Sequence, residues 1–241
     1  MPHATAAPDG WSTAPAYYRG VRGALELVIF DNDGVLVDSE PVANQVLASL
    51  LTEYGFPCTP EESIATFMGH SMAQVRTMVE ARLGRAVPAE LEARYFGQLF
   101  PAFERSLQPI PGIEDALRAI DQAVCVASSG THERIRVTLG ATGLWKRFEG
   151  RVFSAQDVAR GKPAPDLFLH AAASLGADPV RCAVVEDSPA GVTAANAAGM
   201  TSFGFARLMP AERLAHAAAV FSDMRRLPQL LQVPPSVRSG P

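Results

Sequence analysis

The segment that decides the fold is LELVIFDNDGVLVDSE, residues 25–40. Its apolar run, LELVIF, leads directly into an acidic turn that contains Asp31, Asn32, Asp33 and Gly34. A short run rich in Val, Ile and Phe that ends at turn residues is typical of a buried strand. The segment therefore predicts a strand whose carboxyl end carries two carboxylates in the pattern Asp-x-Asp.

Five further apolar runs follow along the chain and alternate with helical patterns. They are AVCVAS (123–128), RVFSA (151–155), CAVVED (182–187), TSFGFA (201–206) and AAAVFS (217–222). Helix starts are indicated between them by Pro163 and by Ser188-Pro189, an N-cap residue followed by proline. This alternation predicts an α/β fold with a Rossmann-like, doubly wound parallel sheet, covered by helices on both faces.

One stretch interrupts the alternation. Residues 41–107 contain three amphipathic helical segments and no convincing strand: VANQVLASLLTEYG, MAQVRTMVEARLG and PAELEARYFGQLFPAFERSL. We expect an all-helical cap, inserted into a core that is formed by residues 24–40 and 108–230. The two ends, residues 1–23 and 231–241, are rich in Ala, Pro and Gly and predict flexible tails.

Composition limits the classes of function. A chain of 241 residues suits one large domain or a domain with an insert. The net charge of -4 disfavours nucleic-acid binding as the main role. Cys58, Cys125 and Cys182 are too scattered for a disulfide framework and fit a reducing compartment. Since no segment predicts a signal peptide or a membrane span, we expect a cytoplasmic monomer that binds neither nucleic acid nor membrane.

Polar residues follow the predicted strands at the points where these end. Because the carboxyl ends of parallel strands meet at one edge of a sheet, we expect these side chains to share a crevice. In chain order they are Asp31, Asp33, Ser128, Ser129, Lys162, Glu186 and Asp187.

Four carboxylates in one crevice cannot all ionise at low cost. Two unit charges about 4 Å apart interact by roughly 4 kcal/mol at an effective dielectric constant of 20, and Lys162 alone cannot offset several such pairs. Either some carboxyl groups stay protonated, or a divalent cation lies among them. An all-oxygen ligand set without His or Cys indicates Mg²⁺. Lys162 and Ser128 would then hold the remaining oxygens of a bound phosphate.

Each of these motifs alone has a structural explanation. Asp-x-Asp-Gly is often a turn, Gly-Lys-Pro is often a surface loop, and Glu186-Asp187 could cap the helix that Pro189 starts. Their order at successive strand ends favours the functional interpretation.

Four motifs together resemble those of the haloacid dehalogenase-like (HAD) superfamily. They are DNDGVLVDSE, VASSG, GKPAPDLF and VVEDSPAGV, in the same order and with a helical cap after the first. The resemblance covers about residues 25–230, and it is strongest to the subfamily of β-phosphoglucomutases and sugar-phosphate phosphatases that resemble 6-phosphogluconate phosphatase. It implies a Mg²⁺-dependent phosphatase for a small phosphorylated metabolite, either a sugar phosphate or a sugar-acid phosphate.

By this resemblance, Asp31 is the nucleophile that forms an aspartyl phosphate. Asp33 would protonate the leaving oxygen and later deprotonate the attacking water. Ser128 and Lys162 would bind the transferring phosphoryl group, and Ser129 is predicted to contact the substrate.

The resemblance also implies a ligand set for Mg²⁺. It comprises Asp31, the backbone carbonyl of Asp33, Asp187, and Glu186 either directly or through water. Dehalogenases of this superfamily need neither the metal nor the second aspartate, so Asp33 and the Glu186-Asp187 pair argue against dehalogenation.

The cap separates the remaining activities of the superfamily. Phosphonatases use a cap lysine, and residues 41–107 contain none. β-Phosphoglucomutases carry a cap Gly-x-Ser-Arg and a histidine after the first motif, where this chain has Met72 and Ala43. These departures favour a phosphatase. A mutase stays open as an alternative, because Arg76 lies one helical turn beyond Met72, and a non-catalytic metal-binding module is a further one.

Four cap residues are predicted to contact the substrate. They are Asn44, His70, Gln74 and Arg76. Each also has a structural explanation: His70 could satisfy a loop carbonyl, while Gln74 and Arg76 could face solvent.

Overall fold

A six-stranded parallel sheet forms the centre of the computed structural model, which describes residues 24–68 and 70–232. The strands are β1 (Leu27–Phe30), β2 (Ala123–Ser128), β3 (Val152–Ser154), β4 (Cys182–Glu186), β5 (Thr201–Phe205) and β6 (Ala219–Phe221). Their order across the sheet is β3-β2-β1-β4-β5-β6, and all neighbouring pairs run parallel. Each of the six apolar runs therefore forms a strand.

The sheet divides the hydrophobic core into two layers. Val28 and Phe30 of β1 belong to one layer, and Leu27 and Ile29 belong to the other. All four side chains are fully buried because helices cover both faces, which explains why the run is continuously apolar. The predicted doubly wound α/β fold is confirmed.

Six helices of the core flank the sheet. They are α5 (Ile113–Ala119), α6 (His132–Ala141), α7 (Trp145–Phe148), α8 (Asp166–Ser174), α9 (Pro189–Ala197) and α10 (Leu227–Leu230). Ser188 caps α9 as predicted, since its side chain accepts the N–H of Gly191, and Pro189 is the first helical residue. Helices α8 and α9 pack in the same core layer as Leu27 and Ile29.

Among the described residues, four helices lie between β1 and α5, and we call them the helical insert. They are α1 (Ser39–Glu53), α2 (Pro60–Phe67), α3 (Met72–Leu83) and α4 (Leu91–Ser106). Helix α1 packs against both α2 and α4, and α4 also packs against α6 of the core. The sequence pattern predicts α1, α3 and α4 but not α2.

Two chain crossings join the helical insert to the core, and they run side by side. The N–H of Asp38 donates to the carbonyl of Gln108 at 2.9 Å, and the N–H of Ile110 donates to the carbonyl of Leu36 at 2.9 Å. Both crossings lie next to the carboxyl end of β1. The insert is thereby anchored at the edge of the sheet that carries the predicted site.

Most residues of the two predicted tails cannot be compared with the structure. Residues 1–23 and 233–241 lie outside the described residues. Leu231, which falls in the predicted C-terminal tail, is 2% exposed and packs in the core, so the core reaches at least this residue. Across the described ranges, every helix is too short or too polar to cross a lipid bilayer.

Candidate active site

A crevice of about 320 Å³ lies at the carboxyl ends of β1, β2 and β4. All seven polar residues that the sequence predicts for the strand ends line it, together with six other residues. The lining residues are Asp31, Asp33, Glu40, Met68, Ser128, Ser129, Gly130, Lys162, Glu186, Asp187, Ser188, Ala190 and Met209. Residues as far apart in the sequence as Asp31 and Met209, a separation of 178, thus meet at one edge of the sheet.

Lys162 lies between two carboxylates at the base of the crevice. Its Nζ donates to Asp31 Oδ1 at 2.7 Å, to Glu186 Oε1 at 2.6 Å and to the carbonyl of Ala127 at 2.9 Å. The side chain is only 4% exposed. Burial lowers the pKa of Lys162, but the charges of Asp31 and Glu186 outweigh burial and shift it upward. The ammonium is therefore charged and fixed in position.

Three carboxylates form a cluster that can hold a cation. One oxygen each from Asp31, Glu186 and Asp187 lie within 4.8 Å of one another. Burial raises the pKa of Asp31 to about 7, although Lys162 opposes the rise. Burial, together with the charges of Glu186 and Asp31, raises the pKa of Asp187 well above its usual range. The protein alone thus favours partial protonation, and a divalent cation would remove that cost.

Two glycines make room for this cluster. Gly34 has a φ of +77°, and a Cβ there would lie 1.9 Å from Asp187 Oδ2. A Cβ on Gly191, at the start of α9, would lie 1.8 Å from the carboxyl carbon of Glu186. Both carboxylates therefore sit where only a residue without a side chain permits them.

Glu186 is fixed by a second set of bonds. Its Oε2 accepts the N–H of Ser188 at 2.9 Å and the hydroxyl of Ser188 at 2.8 Å, while Oε1 faces Lys162. The side chain is 1% exposed. Because these hydrogen bonds restrain both carboxylate oxygens, the position of Glu186 in the cluster is preorganised.

The loop after β2 presents two serines with different surroundings. Ser128 is buried, and its Oγ accepts the N–H of Gly130 at 3.1 Å. The carbonyl of Gly130 accepts the Ser154 hydroxyl at 2.6 Å, which ties this loop to the end of β3. Ser129 is exposed at the mouth of the crevice.

Asp33 makes contacts that the sequence analysis did not foresee. Arg134 of α6 donates hydrogen bonds to both carboxylate oxygens, from Nη2 to Oδ1 at 2.8 Å and from Nε to Oδ2 at 3.2 Å. Asn32 Nδ2 donates to the same Oδ2 at 3.3 Å and to the hydroxyl of Thr138 at 3.0 Å. Burial raises the pKa of Asp33, but the Arg134 charge and these hydrogen bonds outweigh it and lower the pKa.

The four predicted cap contacts lie outside the crevice lining. Asn44 is buried; its Nδ2 donates to Glu40 Oε2 at 2.9 Å and its Oδ1 accepts the Ser63 hydroxyl at 2.8 Å. Asn44 thus orients Glu40, which does line the crevice. His70 is exposed, and its backbone N–H donates to the carbonyl of Phe67 at 3.0 Å.

Gln74 and Arg76 have local structural partners. Gln74 Oε1 accepts the N–H of Ser71 at 2.8 Å and completes the capping box that starts α3. The Arg76 guanidinium donates to three carbonyls of the connection between α3 and α4, at residues 87–89, over distances of 3.0 and 3.1 Å. Substrate contact by Asn44, His70, Gln74 or Arg76 stays a prediction.

Comparison with known proteins identifies the family of this chain. Residues 25–199 match the family model described as haloacid dehalogenase-like hydrolase. This span holds every polar residue of the crevice that the sequence predicted. The chain belongs to the haloacid dehalogenase-like hydrolases.

Individual relatives extend over nearly the whole chain. The 6-phosphogluconate phosphatase of Escherichia coli is 30% identical over 208 residues, which cover 86% of this chain and 94% of that protein. A haloacid dehalogenase-like protein from Agrobacterium tumefaciens has a TM-score of 0.80 and 38% identity, with 86% and 98% of the two chains covered.

A second solved structure is a HAD family hydrolase from Deinococcus radiodurans, with bound phosphate and sodium. Its TM-score is 0.74 at 30% identity, and 84% of this chain and 93% of that chain are covered. The family resemblance inferred from the four motifs is confirmed.

Two charged residues at or beside the crevice of this hydrolase were not predicted from the sequence. Glu40 lines the crevice, and burial raises its pKa, with the Asp33 charge adding to the rise. Arg134 lies in the first turn of α6, where the helix dipole disfavours a cation. A cation at such a position signals a nearby anion, and this signal could have indicated a partner for Arg134.

Proposed function

We propose that this hydrolase is a Mg²⁺-dependent phosphatase that cleaves a small phosphorylated metabolite through an aspartyl phosphate on Asp31. The observation that supports it best is the position of Lys162, 2.7 Å from Asp31 and 2.6 Å from Glu186. A nucleophilic carboxylate, a fixed cation and an all-oxygen cluster are thereby adjacent in one crevice. Phosphoryl transfer needs this combination of nucleophile and positive charge.

The donor set of the crevice fits Mg²⁺. Asp31, Glu186 and Asp187 offer carboxylate oxygens within 4.8 Å of one another, and hard cations prefer oxygen ligands. These three side chains and the backbone carbonyl of Asp33 would hold the ion, with Glu186 bound directly or through water. When bound, Mg²⁺ supplies positive charge that stabilises the phosphoryl oxygens.

The residues of the chain divide the chemistry among them. A carboxylate oxygen of Asp31 attacks phosphorus, and the bond from phosphorus to the ester oxygen breaks. Asp33 gives that oxygen a proton, so it must enter this step in its protonated form although Arg134 lowers its pKa. Asp33 then takes a proton from the water that cleaves the aspartyl phosphate. Lys162 and Ser128 bind the oxygens of the phosphoryl group in both steps, and Ser129 contacts the substrate at the mouth of the crevice.

The lining of the crevice supports a phosphatase over a mutase. Among its described residues Lys162 is the one cation, and its ammonium is already bonded to two carboxylates. Glu40 adds a further acidic group on the side of the helical insert. A second phosphate on an intermediate would therefore meet carboxylates without a compensating charge.

The helical insert has a part in the proposed function. Residues 41–107 act as a cap that closes over the substrate and brings His70, Gln74 and Arg76 nearer to it.

The substrate is a sugar phosphate or a sugar-acid phosphate, which the relation to 6-phosphogluconate phosphatase supports. The protein acts as a cytoplasmic monomer without a nucleic-acid or membrane partner, and its free cysteines suit a reducing compartment.

Phosphate release from a panel of phosphorylated metabolites tests this function. We expect turnover of 4-nitrophenyl phosphate, acetyl phosphate and at least one sugar or sugar-acid phosphate with Mg²⁺. A chelator should stop it, and Ca²⁺ should not restore it, because its larger and looser coordination shell misplaces the nucleophile. Absence of phosphate release from every compound would favour the non-catalytic module, and full activity in chelator would exclude a metal-dependent enzyme.

A further inference from the structure

The side chain of Asp33 is held by helix α6 rather than by the loop that carries it. Arg134 donates from Nη2 to Oδ1 at 2.8 Å and from Nε to Oδ2 at 3.2 Å, so one guanidinium engages both oxygens. Such a bidentate pair fixes the plane of a carboxylate as well as its position. Asp33 and Arg134 are 101 residues apart in sequence.

Arg134 is itself held in place. Its guanidinium carbon lies 5.2 Å from the centre of the Phe103 ring on α4, and Phe103 is fully buried. The side chain of Arg134 is 21% exposed, and that of Asp33 is 23% exposed. An arginine stacked on a ring and largely shielded from water loses little freedom when it binds a carboxylate, so the pair is better ordered than a surface ion pair.

A second connection from α6 reaches the same carboxylate. Asn32 Nδ2 bridges Asp33 Oδ2 at 3.3 Å and the hydroxyl of Thr138 at 3.0 Å. Thr138 in turn donates to the carbonyl of Arg134 at 3.0 Å. Asp33, Asn32, Thr138 and Arg134 thus form a closed ring of contacts.

We propose that Arg134 is a positioning residue that orients the Asp33 carboxylate toward the leaving oxygen of the substrate. Arg134 does not line the crevice, so it acts through Asp33. Each carboxylate oxygen has two acceptor sites. The guanidinium occupies one on each oxygen and Asn32 occupies the second on Oδ2, which leaves a site on Oδ1 for the transferred proton. The inference rests on the acid–base role of Asp33 proposed above.

Leaving-group dependence separates this role from general support of the fold. Phenyl phosphate and 4-nitrophenyl phosphate have similar shapes, but the phenolate is the more basic leaving group and depends more on proton donation. The ratio kcat/KM covers the steps up to phosphorylation of the enzyme, so the later hydrolysis, which the two substrates share, does not enter. Arg134→Gln removes the charge and the paired donors while keeping a polar side chain of intermediate length.

We expect Arg134→Gln to lower kcat/KM for phenyl phosphate about 10-fold or more, and for 4-nitrophenyl phosphate by about 3-fold or less. The kcat/KM values of Arg134→Lys should lie between those of Arg134→Gln and the wild type, because a single ammonium keeps the charge but not the paired N–H donors of the guanidinium. Arg136→Gln is the matched control: it lies on the same helix, is exposed and stacks on Trp145 at 5.0 Å. This control should leave both values unchanged.

Asp33→Asn in the same assay distinguishes failure of the inference from failure of the proposed function. If Asp33→Asn steepens the leaving-group dependence and Arg134→Gln does not, the inference about Arg134 is wrong and the role of Asp33 stands. If neither variant steepens it, the role of Asp33 fails, and that of Arg134 fails with it. Equal losses on both substrates for Arg134→Gln and Arg134→Lys would also overturn the inference. Combining Asp33→Asn with Arg134→Gln should add little to Asp33→Asn alone, because the two residues act as one unit.

Discussion

Asp31 is the residue on which the electrostatics of the crevice depend most. It is 8% exposed, bonded to Lys162 and clustered with Glu186 and Asp187. A carboxylate that forms a covalent bond to phosphorus must be both ionised and close to positive charge. The Lys162 ammonium provides part of that charge, and Mg²⁺ would provide the rest.

Replacing Asp31 tests the nucleophile. Asp31→Asn should abolish turnover of 4-nitrophenyl phosphate while the protein stays folded, because a neutral amide does not form the phosphoenzyme. Phosphate release and the far-UV circular dichroism spectrum are the measurements. Retention of more than about a few per cent of wild-type kcat would show that another group attacks phosphorus.

Asp31→Asn should also change the thermal stability of the metal-free protein. Burial raises the pKa of Asp31 from 3.8 to about 7, so the folded protein holds this proton more tightly than the unfolded chain does. The resulting stabilisation is present below pH 3.8 and is lost as the pH rises through about 7. In chelator at a pH above 7, Asp31→Asn should therefore unfold at a temperature several degrees higher than the wild type.

Thermal unfolding at a series of pH values measures this effect. The advantage of Asp31→Asn should shrink as the pH falls toward 4, because the wild-type carboxyl is then protonated too. Added Mg²⁺ should stabilise the wild type more than Asp31→Asn, since binding to the folded state raises stability. A wild type that is more stable than the variant in chelator at every pH would contradict the raised pKa.

At the scale of elements, residues at the start of helix α9 contact the carboxylate of Glu186 at the end of β4. Ser188 caps the helix and also donates to Glu186 at 2.8 Å, so one residue serves the helix and the cluster. Gly191, in the first turn, leaves the space that the Glu186 carboxylate occupies. The chemistry of the site is thus coupled to the geometry of a strand-to-helix connection.

A methyl group at Gly191 should disrupt this connection. In Gly191→Ala the Cβ would lie 1.8 Å from the carboxyl carbon of Glu186, so Glu186 must move away from Lys162. We expect activity with 4-nitrophenyl phosphate to fall about 10-fold or more and stability to fall by about 2 kcal/mol, since a buried ion pair is disturbed.

The matched control is Gly97→Ala on α4. Gly97 is exposed, and a Cβ there meets no atom of the described chain within 4 Å. Alanine should raise stability by about 0.5–1 kcal/mol through helix propensity and leave kcat unchanged. Equal activity of Gly191→Ala and Gly97→Ala would show that Glu186 tolerates displacement.

The elements that the sequence predicts best are those whose signal is local. All six strands were found because each is a short apolar run that ends in polar residues. Helix α2 was missed because PEESIATF has few apolar residues, although Thr59, Pro60 and Glu62 form a capping box that marks its start. A search for capping signals would have found it.

Contacts between distant segments are harder to predict. The seven residues at the strand ends were found because a parallel sheet brings such positions to one edge. The bond from Arg134 to Asp33 depends on the rotation of α6 and on a separation of 101 residues, which no local pattern encodes. Arg76 was placed one turn beyond Met72 correctly, but the packing of α3 directs its guanidinium to the carbonyls of residues 87–89.

At the scale of the whole molecule, the helical insert and the crevice together select the reaction. The insert is joined to the core by adjacent crossings at residues 36–38 and 108–110, an arrangement that the proposed cap closure would use as its hinge. Asp38 at this hinge is paired with Arg207, which follows β5, through two bonds of 2.7 Å. In the proposed reaction, closing of the insert would exclude water, and opening would admit the water that hydrolyses the aspartyl phosphate.

A mutase would need this closed state to hold a second phosphate, and the crevice is poorly charged for that. Lys162 is the one cation among its described lining residues, and Glu40 of α1 adds a further carboxyl group to the lining. Two unit charges about 4 Å apart repel by roughly 4 kcal/mol at an effective dielectric constant of 20, about a 1000-fold loss of binding. Incubation with glucose 1-phosphate, a bisphosphate primer and Mg²⁺ should therefore yield inorganic phosphate or no reaction, without glucose 6-phosphate. Formation of glucose 6-phosphate faster than phosphate release would establish a mutase, and its loss in Arg76→Gln would then identify Arg76 as the cap cation.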